Sequence, residues 1–212
     1  MNIKKIFHKV YSRLKYYKER IYSTHSILLL VRPAKEFAAE MQHKPCPGEF
    51  RAVTEDNIHD CAAFEDADHY VPVYRSMLEK GDYVVFGYLN GVCVFRHAMQ
   101  KSGDISFAHS TIRQLKENEA YVHYGFCAPE ARGQGFHSES IYRFCKDNPS
   151  HTLYAMVEEK NIASLRGYVR NGFHIHSRLT VKYRFFRRWF KETPISPAEA
   201  EAILAGKPKQ RG

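Results

Sequence analysis

The residues of this chain with the clearest chemical potential are 127–137, where the sequence reads CAPEARGQGFH. A Tyr- and Val-rich segment that predicts a strand ends there, and a helical pattern begins at about Gly135. The first N–H groups of a helix have no acceptor within the helix, and they lie at the positive end of its dipole. Because Gly133 and Gly135 lack Cβ atoms, an anion can approach this backbone closely. We therefore predict that main-chain amides of residues 132–137 bind a pyrophosphate, with Arg132 adding charge or bracing the loop.

A second stretch, NIASLRGYVRNGF, covers residues 161–173. Together the two stretches resemble the acyl-CoA signatures of the GNAT superfamily of N-acetyltransferases, whose loop runs Pro-x-x-Arg/Gln-Gly-x-Gly. The residues of the second stretch that match the family pattern are Asn161, Ser164, Tyr168, Gly172 and Phe173. Arg170 replaces the usual Lys, and His137 stands where one register of the loop motif commonly has Gly or Ala. In element order the resemblance covers residues 49–186.

The resemblance implies acetyl-CoA as the co-substrate, and no metal is expected. It also implies that the pantetheine arm lies between two splayed strands and pairs with the main chain of the first strand. The cofactor-binding residues predicted in this way are Phe126, Cys127, Arg132, Gly133, Gln134, Gly135, Phe136, His137, Asn161 and Ser164. Since the amide of His137 is the group that binds phosphate, its side chain is expected to point away from the cofactor or else to crowd it.

The resemblance further implies direct attack by an amine on the thioester. An alkyl amine has a pKa of about 10.4 and is mostly protonated at pH 7, so a base or a water chain must remove a proton. The departing thiolate benefits from a proton donor, and Tyr168 matches the family tyrosine that donates to it. Tyr168 is therefore the predicted general acid, with core packing as the alternative role. Nothing in the sequence pairs Cys127 with a catalytic triad, so a covalent role for this thiol is disfavoured.

His123 is the predicted general base. It lies four residues before Cys127, at the place where histone-acetylating members of the family have a Glu. An imidazole with a pKa near 6.5 suits a base at neutral pH. Alternation along the strand puts the following residues on one face: Tyr121, His123, Gly125 and Cys127. His109, Glu158 and water alone are alternatives that the sequence leaves open.

The net charge of +9 is concentrated at the two ends of the chain. Residues 1–22 carry seven basic and one acidic residue, and residues 177–212 carry nine basic and three acidic residues, so the middle is mildly acidic. This distribution disfavours general nucleic-acid binding and indicates two local surfaces for anionic partners. Apolar residues recur at helical spacing over residues 3–21, which predicts a basic amphipathic helix. The helix either docks on the domain or rests on anionic lipid headgroups.

The composition is that of a globular chain, with 44% hydrophobic and 26% charged residues among 212. The five cysteines are widely spaced without a CxxC pair, which predicts reduced thiols and neither a disulfide framework nor a zinc site. The longest aliphatic run is five residues, residues 27–31, whereas a spanning helix needs about 20. The expected location is cytoplasmic, with peripheral contact at the inner membrane surface through residues 1–22 as an open alternative.

The order of predicted elements indicates an α/β chain with a GNAT-like fold: a central, mostly antiparallel, splayed sheet flanked by helices. Strands are predicted over residues 26–31, 49–53, 83–89, 92–98, 120–127, 152–157 and 173–184. Helices are predicted over residues 57–64, 73–80, 135–146, 162–171 and 197–204, in addition to the amino-terminal one. Asn90-Gly91 predicts a two-residue hairpin, and a polar loop follows residue 98. The predicted division is a helix over 1–22, an extra strand and linker over 23–48, an acyltransferase domain over 49–186, and a basic tail over 187–212.

The predicted function is acetylation of a primary amine on a small molecule, such as an amino sugar, or on a protein. The alternatives are a non-catalytic acyl-CoA-binding module and an adaptor that binds a membrane surface through its basic helix. The sequence ranks neither the acceptors nor the oligomeric states.

Overall fold

A computed structural model of the chain describes residues 16–36 and 46–206. The predicted helix over residues 3–21 lies mostly outside these ranges, although residues 16–21 are helical. No helix in the described part of the chain combines the length and the apolar composition needed to cross a bilayer.

Ten strands and four α-helices lie wholly within these residues, in addition to the helical residues 16–21 and 34–36. The strands are β1 (Tyr22–Pro33), β2 (Glu49–Ala52), β3 (Tyr83–Leu89), β4 (Val92–Gln100), β5 (Asp104–Phe107), β6 (Ser110–Gln114), β7 (Glu119–Cys127), β8 (Thr152–Val157), β9 (His174–Arg184) and β10 (Arg187–Pro194). The helices are α1 (Ala67–Glu79), α2 (Phe136–Asp147), α3 (Ile162–Arg170) and α4 (Pro197–Leu204). Short 3₁₀ turns cover Ile58–Ala63 and Pro129–Ala131.

Eight of the strands form one sheet in the order β10-β9-β1-β8-β7-β4-β3-β2, and β5 and β6 form a separate hairpin. Every neighbouring pair in the large sheet is antiparallel except β7 and β8, which are parallel. The predicted fold class, a mostly antiparallel mixed sheet flanked by helices, is confirmed.

The two faces of the sheet are covered by different elements. Helices α2, α3 and α4 pack over one face, against a cluster that includes Leu28, Met99, Val122 and Ala155. Helix α1 and the β5–β6 hairpin cover the other face, where α1 packs on Phe86 and Ala98 and the hairpin packs on the β1, β8 and β9 side. The sheet is therefore the middle layer. A gap between two of its strands opens toward α2, α3 and α4 on one face and toward α1 and the β5–β6 hairpin on the other.

Several sequence predictions are confirmed because local chemistry decides them. Asn90 and Gly91 have φ of +52° and +79°, as a type I′ hairpin turn requires. Gly172, at φ +76°, follows Asn171, the carboxyl-terminal cap of α3, and a Cβ added to Gly172 would overlap the Arg32 guanidinium. The Ser196 hydroxyl accepts from the Glu199 N–H at 3.3 Å and caps α4.

The large sheet extends beyond the predicted acyltransferase domain in both directions along the chain. Strand β1 belongs to the segment assigned to an extra strand and linker, yet it lies between β8 and β9. Leu28, Leu29 and Leu30 are all buried, as expected for a strand covered on both faces. Strand β10 belongs to the predicted tail, yet it pairs with β9 along its whole length. All eight β10 residues are exposed, so no apolar alternation indicates the strand.

Three further elements differ from their predictions. The predicted polar loop after residue 98 contains the β5–β6 hairpin, in which Ile105 is the buried apolar anchor. The predicted helix over residues 57–64 is a 3₁₀ turn. Helix α1 begins at Ala67, six residues before its predicted start, because Pro72 is accommodated inside the helix and does not begin it.

Candidate functional site

The site is built around the divergence of the two parallel strands. Main-chain pairing of β7 with β8 runs from Glu119 opposite Thr152 to Val122 opposite Ala155, and then it stops. Strand β7 nevertheless continues to Cys127. The gap between the strands opens into a cleft of about 460 Å³, whose walls come from β7, the end of β8 and the starts of α2 and α3.

A β-bulge shapes β7 at the gap. Residues Tyr124 and Gly125 lie opposite the single residue His97 of β4, because Ala98 pairs with His123 and Arg96 pairs with Phe126. Tyr124 has φ +50°, which a residue with a side chain rarely adopts. Bulges of this kind often redirect side chains beside active sites.

Arg96 holds the bulge in place. Its Nη1 donates to the Tyr124 carbonyl at 2.6 Å, and its Nε pairs with the buried Glu65 carboxylate. Its guanidinium also lies over the rings of Tyr70, Tyr124 and Phe126, at 5.0 to 5.8 Å from their centroids. The sequence gives no signal for this arrangement, because the partners are distant along the chain.

The bulge corrects the predicted alternation along β7. Cys127 pairs with Phe95, which packs on the α2 side, whereas His123 pairs with Ala98, which packs on the α1 side. The prediction that Tyr121, His123, Gly125 and Cys127 share one face is therefore wrong beyond His123. The bulge adds one residue to β7, so the side chains after it lie on the opposite face from the one that strict alternation predicts.

The loop before α2 has the geometry expected of an anion site. Gly133 and Gly135 adopt φ of +78° and +89°, and a Cβ at either residue would meet only open space. Within the described residues, the N–H groups of Phe136, His137 and Ser138 have no backbone acceptor, and no side chain caps the helix. Three helix amides therefore remain available at the positive end of α2.

Side chains of the loop brace its conformation. Arg132 Nε donates to the Cys127 carbonyl at 3.1 Å, and Gln134 Nε2 donates to the Glu130 carbonyl at 2.8 Å. Of the two roles considered for Arg132, bracing is the one present in this structure. The Cys127 carbonyl keeps its second lone pair for another donor.

Phe136 anchors the first turn of α2. Its ring is buried against Phe50 and Phe95, and an added Cβ at Gly48 or Gly87 would lie 2.3 or 2.7 Å from it. Of this residue, only the backbone amide can therefore contact a ligand.

His137 lines the cleft and does not point away from it. Its ring packs edge-on against Tyr168 at 4.7 Å and lies 4.8 Å from the ring of His97. Asn171 Nδ2 donates to the Gly167 carbonyl and lies 3.4 Å from His137 Nδ1, which makes Nδ1 the acceptor. Burial lowers the pKa of His137 to about 4, so the ring is neutral and its Nε2 carries the proton.

His97 is a polar residue of this region that sequence reasoning missed. Ser140 donates its hydroxyl to the His137 carbonyl at 3.0 Å, so His97 Nδ1 donates to Ser140 at 2.6 Å. His97 Nε2 then carries a lone pair and no proton, and it is buried without a hydrogen-bond partner among the described residues. Burial holds the pKa of His97 well below its usual range. A Cβ on Gly125 would lie 3.4 Å from this nitrogen, so the glycine packs directly against it.

The predicted acid and base both line the cleft. Burial raises the pKa of Tyr168, so its hydroxyl is protonated at neutral pH. His123 stacks on Tyr121, with ring centroids 5.1 Å apart. Burial and the nearby Arg96 charge lower the pKa of His123 to about 4, and its Nε2 has no hydrogen-bond partner in the described part of the chain.

The remaining predicted residues divide by position. Asn161 and Ser164 line the cleft at the start of α3, where Asn161 Oδ1 accepts from the Ser164 N–H at 3.2 Å. Glu158 is at the cleft edge and pairs with Lys160 at 2.9 Å. His109 lies outside the cleft, 3.4 Å from Glu19. Burial raises the pKa of the Cys127 thiol, which makes it a poor nucleophile. Within residues 16–36 and 46–206, no three His, Cys, Asp or Glu side chains are grouped to hold a metal ion.

Solved structures provide the comparison that decides the fold. A protein of the GNAT family from Novosphingobium aromaticivorans superposes with a TM-score of 0.51 at 15% identity, covering 77% of this chain and 65% of that one. The chain has the GNAT fold. A conserved protein of unknown function from Staphylococcus epidermidis gives a TM-score of 0.57 at 16% identity, covering 85% of this chain and 66% of that one. This chain therefore spans just under two thirds of the length of each of these two proteins. No protein-family model matches the sequence, and no curated protein matches it.

Proposed function

We propose that this protein is an N-acetyltransferase that transfers an acetyl group from acetyl-CoA to a primary amine. The observation that carries the proposal is the divergence of β7 from β8 directly beside the open amino-terminal end of α2. The free N–H groups of residues 136–138 would bind the pyrophosphate, and the gap between the strands would take the pantetheine arm. Asn161 and Ser164 would contact the same arm from α3.

In the proposed reaction the amine nitrogen attacks the thioester carbonyl carbon and loses one proton. The C–S bond breaks, and the departing thiolate takes a proton from Tyr168, which water then restores. Burial raises the pKa of Tyr168, so its hydroxyl is protonated at neutral pH and available as a donor to the sulfur. The products are an amide and the free thiol of coenzyme A.

His123 would serve as a hydrogen-bond acceptor for the amine or for a water next to it. Its lowered pKa leaves the lone pair free at neutral pH but disfavours the imidazolium form. We therefore propose that the proton lost by the amine passes through water in the cleft to solvent. This route agrees with the alternative in which water alone acts as the base.

The acceptor enters the cleft from the α1 side of the sheet in this proposal. Tyr121, His123 and Tyr124 line that part of the cleft, and the Glu158 carboxylate at its edge would attract a cationic amine. A polar, aromatic cleft of about 460 Å³ suits a small-molecule amine better than a folded protein surface.

Binding of coenzyme A is the first test, measured by titration calorimetry. We expect Gly135→Val to weaken binding by about tenfold or more, because a β-branched residue resists φ +89° at the pyrophosphate loop. Gly81→Val is the matched control, since Gly81 has φ +73° and open space around it but lies far from the cleft. Absence of binding to the wild-type protein at millimolar coenzyme A would overturn the proposal.

Turnover is the second test, measured as thiol release from acetyl-CoA with a panel of amino sugars, polyamines and peptide amines. We expect Tyr168→Phe to lower kcat by about a hundredfold while leaving coenzyme A affinity unchanged. Tyr83→Phe, on a tyrosine packed against Phe144 outside the cleft, should change neither. Binding without turnover on any amine would instead identify an acyl-CoA-binding module.

A further inference from the structure

The turn between β9 and β10 has an unusual composition for its geometry. Arg184 pairs with Arg187, so the loop consists of Phe185 and Phe186 alone. These residues have φ of +47° and +65°, the left-handed pair that a type I′ turn requires. Asn-Gly is the usual choice there, because bulky side chains are strained at positive φ.

The two phenylalanines project from the molecule. The two residues are 81% and 57% exposed, while their N–H groups donate to the Ile21 and Arg20 carbonyls at 2.8 and 2.9 Å. The backbone of the turn is thus fixed on residues 20–21, and the rings do not contribute to the core. Two phenylalanines in a strained backbone conformation that the fold does not need indicate a function for their side chains.

The exposed apolar surface of the protein is concentrated around this turn. Nine large apolar side chains of the described residues are exposed, and seven of them lie on residues 16–22 and 185–190. Tyr17 contacts Phe186 ring to ring at 6.5 Å, and Tyr22 lies under the Arg184 guanidinium at 3.6 Å. Trp189 and Phe190 extend the surface along β10. We call residues 16–22 and 182–191 the aromatic-basic tip.

The charge of the aromatic-basic tip is strongly positive. Its basic residues are Lys18, Arg20, Lys182, Arg184, Arg187, Arg188 and Lys191. Its one acidic residue, Glu19, lies 3.4 Å from His109. Among the described residues, Lys182, Arg187, Arg188 and Lys191 are exposed and have no acidic partner. The surface therefore complements an anionic partner that also accepts hydrocarbon.

We propose that the aromatic-basic tip docks the protein on the surface of an anionic lipid bilayer. Phe185 and Phe186 enter the boundary between headgroups and acyl chains, Trp189 lies at headgroup level, and the flanking arginines contact lipid phosphates. A nucleic acid fits this surface less well, because single strands stack on aromatic platforms in a groove and this turn is convex. The proposal concerns a surface separate from the cleft, so it does not depend on the proposed function.

The test is flotation of the full-length protein with vesicles of phosphatidylcholine containing about one third phosphatidylglycerol. The double variant Phe185→Asn/Phe186→Gly installs the residues that a type I′ turn favours, so it should fold at least as well as the wild type. We expect it to lose vesicle binding by about tenfold or more while keeping its melting temperature. Val92→Asn, which removes an exposed apolar side chain next to the β3–β4 turn, is the matched control and should bind like the wild type.

Additional measurements distinguish lipid docking by the tip from contacts made elsewhere on the chain or with other partners. The wild type should not float with pure phosphatidylcholine vesicles, because the basic side chains need anionic headgroups. Undiminished flotation of the Asn-Gly variant would overturn the proposal, and loss of flotation only in a full-length Lys4→Gln/Lys5→Gln/Lys9→Gln variant would assign the contact to the amino-terminal segment instead. Absence of wild-type flotation would also overturn the proposal. The surface would then serve another partner: a second copy of the chain, if light scattering shows a dimer that the Asn-Gly variant abolishes, or a nucleic acid, if a single-stranded oligonucleotide binds through the phenylalanines.

Discussion

Neutral histidines are the main chemical feature of the cleft at the scale of single residues. Burial lowers the pKa of His123 and of His137 to about 4, and it holds that of His97 well below its usual range. A neutral imidazole offers one lone pair and one N–H without bringing charge into the site. His97 presents a lone pair near Gly125, whereas His137 keeps its proton on Nε2. The two histidines that line the cleft, His123 and His137, are thus uncharged at neutral pH.

These buried histidines predict a specific dependence of stability on pH. Between their unfolded pKa of about 6.5 and the folded value of about 4, the unfolded chain binds more protons than the folded one. The contribution of these histidines to the free energy of unfolding is therefore complete above pH 6.5. The free energy of unfolding falls as the pH is lowered toward 4, by up to about 1.4 kcal/mol per pH unit for each histidine. Urea denaturation at about pH 7, 6 and 5 measures this slope. His137→Asn should give a shallower slope than the wild type, and equal slopes would contradict the assignment.

Elements that follow from local chemistry are the ones that the sequence predicts best. Asn90-Gly91 specifies its hairpin, and the glycines at 133 and 135 mark the loop before α2, because few other residues tolerate these backbone conformations. The bulge at Tyr124 could not be predicted, since its positive φ depends on a bond from Arg96, a residue of another strand. Strand β10 escapes prediction for a related reason: its pairing with β9 buries none of its side chains. Tertiary contacts, and not propensity, decide both elements.

The bulge in β7 should depend on the pair formed by Arg96 and Glu65. Arg96→Met leaves the buried Glu65 carboxylate without its charged partner and with only the Tyr74 hydroxyl as a donor, which we expect to destabilise the protein by about 3–5 kcal/mol. Arg96→Met with Glu65→Met removes both charges and should recover part of that stability, because apolar replacements of a buried pair are often neutral. The recovery is incomplete, because the buried Tyr74 hydroxyl loses its acceptor. The double variant still lacks the bond to the Tyr124 carbonyl. We therefore expect weak coenzyme A binding despite partly restored stability, as measured by calorimetry and urea denaturation. Wild-type affinity in the double variant would show that Arg96 does not position the site.

At the scale of the whole molecule, the sheet depends on its first strand. Strand β1 separates β8 from β9, so no main-chain pairing joins β8 directly to β9. The site is on the β7–β8 side of β1, and the aromatic-basic tip is on the β9–β10 side. Both regions are therefore connected through a strand that precedes all the others in sequence. This arrangement makes β1 a structural requirement for the site although it contributes little to the cleft wall.

The dependence on β1 can be tested with one buried residue and one exposed residue of the same strand. Leu28 is fully buried in the cluster beneath α2 and α3, whereas Thr24 is exposed. Leu28→Ala removes buried methyl groups and leaves a cavity, which should cost about 3 kcal/mol and lower the melting temperature by roughly 10 °C. Thr24→Ala should change the melting temperature by only a degree or two, since it leaves the core intact (about 0.5 kcal/mol). Because β1 joins the two parts of the sheet, calorimetry should show a single transition for both variants, shifted only in Leu28→Ala. A separate early transition in Leu28→Ala would mean that β9 and β10 unfold independently of the strands that form the cleft.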